Sequence, residues 1–292
     1  LFQANTIRQG TEVKMLNWLL TKTESLGKLC VNLKNGGYMK DIVKVMAVVM
    51  IAIFMIQATC GKPKPVTITP YEEIEIEDWV YYHNMSIAYD GSQYITMNGG
   101  NDDYCIINTY EDDGEWLYDF DLGIDGRTIF YDAKKSRLLG KLYGTGLYEL
   151  KLNEDQANLL YTDVFEYDNS SVAFAPDGKY AYELTETGYI RFINLNNGKF
   201  EKQIKITTYT DEHGFATSMA ASDKYFFIWG ALGSEIVVLD LKGRYVTSFE
   251  LPRSGLSFSL SYCNNMLWIA EDADGADEGY TGYWYGYSLN IQ

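Results

Sequence analysis

The densest group of side chains able to do chemistry is the run Glu271–Gly282, EDADGADEGYTG. Asp272, Asp274 and Asp277 stand two and three residues apart around Gly275, a spacing that lets carboxylate oxygens wrap a hard cation such as Ca²⁺. The run departs from the EF-hand loop, which continues for twelve positions to a closing glutamate between helices. A solvated acidic loop is the plainer reading. A second pair, Asp102 and Asp103, lies in NGGNDD, and His213 lies in TDEHG beside Asp211 and Glu212, where an imidazole can serve as a base or a metal ligand. In YTGYWYGY, strand geometry puts Tyr283, Tyr285 and Tyr287 on one side and Trp284 on the other. Such aromatics make a stacking platform for a sugar or peptide, or they pack a core. Asp102, Asp103, His213, Tyr283 and Trp284 are therefore the candidate ligand contacts, and Asp272, Asp274 and Asp277 the candidate metal ligands. No residue is assigned a catalytic role. The chain has two histidines and lacks G-x-S-x-G, H-E-x-x-H, C-x-x-C and a phosphate loop.

The elements that must carry these residues are read best from Ser170–Ile206, SSVAFAPDGKYAYELTETGYIRFINLNNGKFEKQIKI. Val172–Ala175 is an apolar run ended by Pro176-Asp177-Gly178, a turn former. Tyr180–Leu184 follows, then a turn at Thr185–Gly188. Tyr189–Leu195 alternates apolar and polar residues, and Asn196-Asn197-Gly198 is a hairpin signal before Phe200–Ile206. Four antiparallel strands in about forty residues is the size of one β-propeller blade. First-strand turns recur near Asp90-Gly91, Lys134-Lys135, Asp177-Gly178, Ser222-Asp223 and Asn264-Asn265. The last repeat holds only three strands, Leu256–Tyr262, Met266–Ala270 and Tyr283–Ile291. Upstream, Val66–Asp78 (VTITPYEEIEIED) is an extended segment with no blade of its own. Pairing it with the last strand closes a five-blade ring and removes a pair of sheet edges. The expectation is an all-β protein with the propeller over 72–292; a six-blade or truncated ring is the alternative. An aromatic content of 15%, with 25 Tyr and five Pro, agrees with pleated, half-buried strands.

In such a ring the loops joining second to third strands, and those joining blades, share one face. Asn98–Asp103, Ile124–Gly126, Tyr167–Ser170, Thr210–Gly214 and Glu271–Gly282 fall there, rich in carboxylate and nearly free of Lys and Arg. Lys134, Lys135, Lys179, Lys199, Lys224, Lys242 and Arg244 fall on the other face. The formal charge of −16 argues against nucleic acid, whose phosphates need a basic footprint.

Met39–Cys60, MKDIVKVMAVVMIAIFMIQATC, resembles a bacterial lipoprotein signal peptide: Lys40 and Lys44 near its start, an apolar run Val45–Ile56, and Gln57-Ala58-Thr59-Cys60 as a loose lipobox. Gln57 departs from the family, which has an apolar residue there. The resemblance implies that residues 39–59 are removed and that Cys60 carries lipid, with 60–71 as tether. Leu1–Tyr38 shows no sustained period and is read as an upstream extension or disordered segment. Cys105 and Cys263 lie in apolar strand patterns as small buried hydrophobes, a disulfide between them being the lesser alternative. VAFAPDGKYAY…YIRFINLNNGK resembles the repeats of YVTN, WD-like and TolB-like six-blade lipoprotein propellers of bacterial envelopes. That class defines a fold rather than an activity. The combined expectation is a monomeric, lipid-anchored envelope propeller that binds an envelope protein or glycan at its acidic face without catalysis. It needs no cofactor, with Ca²⁺ the one candidate. The alternative is a carboxylate-dependent carbohydrate-active or lactone-type hydrolase on the same face.

Overall fold

The computed structural model describes residues 66–80, 83–99, 106–206, 216–230, 235–250, 252, 259–271 and 280–292. Its first strand, β1 (Ile68–Val80), belongs to the last blade. Blade 1 is β2 (His83–Tyr89), β3 (Tyr94–Gly99), β4 (Ile106–Tyr110) and β5 (Trp116–Asp121). Blade 2 is β6 (Gly126–Asp132), β7 (Arg137–Leu142), β8 (Leu147–Lys151) and β9 (Gln156–Tyr161), with a single 3-10 turn at Leu152–Glu154. Blade 3 is β10 (Ser171–Phe174), β11 (Tyr180–Leu184), β12 (Tyr189–Asn194) and β13 (Lys199–Lys205). Blade 4 is β14 (Ala216–Ala221), β15 (Tyr225–Gly230), β16 (Glu235–Asp240) and β17 (Tyr245–Glu250). Blade 5 is β18 (Leu260–Cys263), β19 (Met266–Glu271), β20 (Tyr280–Ile291) and, outermost, β1. All pairing is antiparallel. The protein is a five-blade β-propeller.

Each blade changes character from the axis outward. β3 is buried at every position, so its pattern is nearly continuous, whereas outermost β13 (KFEKQIK) exposes all but one. The turns follow local chemistry. Gly178 and Gly198 adopt φ of +69° and +66°, and a Cβ at Gly198 would lie 2.5 Å from the Tyr161 ring. Asp90 and Asp240 each accept two backbone N–H groups within their own hairpins.

The core is divided among the blade interfaces. Five buried clusters lie one between each neighbouring pair of blades, for instance Tyr182 and Phe192 of blade 3 against Met219 and Phe226 of blade 4. Near the axis, the innermost strands are tied to one another by serines. The Ile129 N–H donates to Ser86 Oγ at 3.1 Å, Ile87 N–H to Ser261 Oγ at 3.2 Å, and Leu260 N–H to Ser218 Oγ at 2.7 Å. Between the innermost strands the axis holds a cavity of about 20 Å³, room for a single water.

The closing strand, expected over Val66–Asp78, runs on to Val80. Ile68–Tyr71 pair with Ile291–Ser288, and Thr67 and Gln292 exchange two further backbone bonds. Tyr280, Thr281 and Gly282, read as the end of the acidic loop, are instead strand residues opposite Val80, Trp79 and Asp78. The β-branched and aromatic pattern of β20 continues through them, and the lack of a side chain at Gly282 admits Asn84.

A polar rim on the upper face

The face onto which β3–β4, β7–β8 and the blade-to-blade connections open is the upper face; the hairpins β2–β3 and β4–β5 and their counterparts open on the lower. Two buried polar centres lie just beneath the upper rim, at the ends of the strands that carry the upper loops.

The first centre is Asp78. Its strand reads EIEIEDW, and beyond the irregularity between Glu72 and Ile74 the register puts Ile74, Ile76 and Asp78 on the side facing blade 1. The carboxylate is completely buried and accepts five hydrogen bonds. Oδ1 takes Thr96 Oγ1 at 3.0 Å, Asn108 Nδ2 at 2.8 Å and the Tyr110 hydroxyl at 2.7 Å. Oδ2 takes Asn84 Nδ2 at 2.8 Å and Trp284 Nε1 at 3.0 Å. Donors from three strands of blade 1 and one of blade 5 thus converge on one residue of the closing strand. Burial pushes the Asp78 carboxyl above its ordinary value, opposed by hydrogen bonds led by that from Tyr110. Burial and the adjacent carboxylate push the Tyr110 phenol up as well. Around them Tyr94 and Trp268 meet edge to face at 4.8 Å, within a cluster that includes Ile76, Ile87 and Trp284.

The second centre joins blades 2 and 3. Lys141, fully buried on β7, donates to the carbonyls of Asp168 at 2.6 Å, Gly144 at 3.2 Å and Leu142 at 3.3 Å, and lies 5.5 Å from the centre of the Phe165 ring. Burial lowers its ammonium to about 8, against an opposing pull from Glu183. Glu183, also fully buried, accepts the N–H groups of Glu166 at 2.7 Å and Tyr167 at 3.2 Å and bonds Arg191 Nη1. Arg191 Nε reaches Glu166 at 3.4 Å. Nearby, Arg127 bridges Asp125 at 2.9 Å and lies over the Tyr143 ring.

Of the residues singled out by sequence, Trp284 takes the core-packing role, the second of the two left open for these aromatics. It is fully buried in the seam between blades 5 and 1, because the small residues Gly282 and Gly286 flank it and Asp78 captures its N–H. Tyr283 lies on the opposite side of β20, stacked on Tyr285 and partly buried against blade 4. Cys263 is a free thiol whose pKa burial raises. Asp102, Asp103, His213, Asp272, Asp274, Asp277, Cys60 and Cys105 lie outside the described residues. Among the described residues, no group of three or more His, Cys, Asp or Glu is arranged to hold a metal ion.

Against the expected scarcity of cations on the upper face, Arg127, Lys141 and Arg191 sit at its strand ends. Sequence reading missed them and Asp78 alike. The available signal was phase: Lys141 shares a strand side with Leu139, Glu183 with Ala181, and Asp78 with Ile76, so each is an ionisable residue in an inward position.

No protein-family model and no curated protein matches the chain. Similar solved structures include a glutaminyl cyclase from Myxococcus xanthus, with TM-score 0.57 and 8% identity over 78% of this chain and 100% of that one. A gluconolactonase from Xanthomonas campestris gives TM-score 0.46 and 11% identity over 79% and 92% of the two chains. Apo AztD from Citrobacter koseri gives 0.37 and 12% over 71% and 50%. At these identities the first likeness speaks for the fold alone.

Proposed function

We propose that this propeller is a binding or assembly module, lipid-anchored at Cys60 in a bacterial envelope, that presents its upper loops to an envelope protein. The observation that carries the reading is the state of the rim's charges. Asp78, Lys141 and Glu183 are each held by internal partners. Catalysis by a general acid or base needs a titratable group open to a substrate-sized cavity. Groups held as these are fix the geometry of strand ends instead, which suits a rigid platform for loops. The lipoprotein-like segment before Cys60 supports the envelope location, and the acidity of Glu271–Glu278 and Asn98–Asp103 supports a partner with a basic surface.

The test is crosslinking in cells followed by mass spectrometry of what is captured. The expected result is one envelope protein in near-stoichiometric yield, lost when Asp272, Asp274 and Asp277 are changed together to Asn. Turnover of a glycoside or lactone that disappears in a single, folded Asp102→Asn or Asp272→Asn variant would overturn the reading. A Cys60→Ala chain that still partitions with membranes would overturn the anchor.

A further inference from the structure

The closing strand begins at the lower face. Ile68 pairs with Ile291 at that end of blade 5, while Val80 pairs with Tyr280 at the upper rim. Residues 61–65 alone separate Cys60 from Val66, and the extended chain across them reaches at most about 22 Å. β1 has 13 residues and so is itself about 40 Å long. A ring held to a bilayer at Cys60 can therefore lie with its lower face down or lie on its side. It cannot stand on its upper rim.

The chemistry of the two faces differs in the same sense. Lys199, Lys224 and Lys242 are exposed at the lower hairpins of blades 3 and 4. None of the three has an ion pair among the described residues. Close to them in the chain, Asp240 is matched by Arg244 at 2.6 Å and Asp177 accepts the Lys179 N–H, while Asp223 stays unmatched among the described residues. Lys62 and Lys64 add two cations within the tether itself. At the lower ends of β13, β17 and β20, Phe200, Tyr245 and Ile291 are 48%, 49% and 40% exposed. Lysines set among exposed aromatic and aliphatic side chains suit a headgroup layer, which takes the ammonium at phosphate and the apolar groups at the acyl boundary. On the opposite face, the β19–β20 connection carries Asp272, Asp274, Asp277 and Glu278, which an anionic surface repels. Blade 1 is the exception below, since its β4–β5 hairpin presents Glu111, Asp112, Asp113 and Glu115. Those charges tip blade 1 away and leave blades 3–5 nearest.

We propose that the lower rim of blades 3–5 docks on an anionic phospholipid bilayer and so turns the upper loops away from the membrane, towards their partner. The docking rests on the anchor at Cys60 proposed above. Lipid holds the chain at the surface, and the lysines and apolar side chains of the lower rim set its orientation there.

The lipidated full chain is bound to vesicles of phosphatidylethanolamine with phosphatidylglycerol, or of phosphatidylcholine alone. It is then treated with a water-soluble amine-acylating reagent and read lysine by lysine by mass spectrometry. Strand β13 carries its own control, because Lys199 at its lower end and Lys205 at its upper end are both exposed. On the anionic vesicles Lys199, Lys224 and Lys242 react about fivefold more slowly than on phosphatidylcholine. Lys205 reacts alike on both, and added salt removes the difference. Lys224→Gln combined with Lys242→Gln, at exposed positions that keep the wild-type urea midpoint, brings Lys199 back towards its phosphatidylcholine rate. The proposal falls if the three lower lysines react alike on both vesicles, or if Lys205 is protected as strongly as Lys199. Either result leaves the anchor standing, since the chain still sediments with both vesicles. A chain that sediments with neither overturns the anchor and the docking together.

Discussion

At the scale of single residues, the two buried charges titrate in opposite senses. Asp78→Asn keeps the shape but turns an amide towards donors that need an acceptor, so a loss of about 1–3 kcal/mol in urea unfolding is expected. Burial raises the Asp78 pKa in the folded state, so the native protein holds that proton more tightly than the unfolded chain. Its contribution is full below the ordinary aspartate value of 3.8 and falls as pH rises through the folded value. The stability gap between wild type and Asp78→Asn should therefore narrow from pH 4 upward. Lys141 runs the other way. With its folded pKa near 8 against 10.5, the unfolded chain binds more protons in that window, and native stability rises with pH across it. Against Lys141→Met, wild type should gain up to roughly 3 kcal/mol between pH 8 and 10.5, read by denaturant unfolding at each pH. Neither group stood out by composition, since Asp78 follows Glu72, Glu73, Glu75 and Glu77 in an evidently acidic strand. Its phase, and donors as far as 206 positions away, set it apart.

At the scale of elements, the strands were legible wherever turn chemistry is local. Pro176-Asp177-Gly178 and Asn196-Asn197-Gly198 separate β10 from β11 and β12 from β13 within a residue or two of the strand ends. The pairing of β1 with β20 was legible by elimination, one segment left over and one blade a strand short. The length of that pair was not, because the tyrosine-rich start of β20 reads equally as loop. As an outermost strand β1 tolerates Pro70, and it turns exposed Glu73, Glu75 and Glu77 outward, which discourages edge-to-edge association. Its upper end depends on Gly282, where an added Cβ would sit 1.9 Å from Asn84 Oδ1. Gly282→Ala should lower the melting temperature by several degrees. In combination with Asn84→Ala the loss should be less than additive, since the clash is then gone while the bond to Asp78 is lost once. Strict additivity in calorimetry would show that the two residues do not press on each other.

At the scale of the molecule, five separate interface cores become one cooperative unit only when the ring is closed. A chain starting at His83 lacks β1 and with it Asp78, leaving Asn84, Thr96, Asn108, Tyr110 and Trp284 without their common acceptor. Such a chain should lose its near-UV circular dichroism and associate on size-exclusion chromatography, and a separate peptide of residues 66–80 should restore both signals. A truncated chain that stays monomeric with an unchanged spectrum would place the stability elsewhere. The clasp at Asp78 also sets an order in time. β1 leaves the ribosome long before β20, and the two can meet only after all the intervening blades exist; until then an acidic, aromatic-bearing strand waits alone while partly built blades expose the faces they will later share. Contacts so distant in sequence form late. The glutamates along β1 then have a second use, as charge that keeps a waiting strand from joining the wrong neighbour during synthesis.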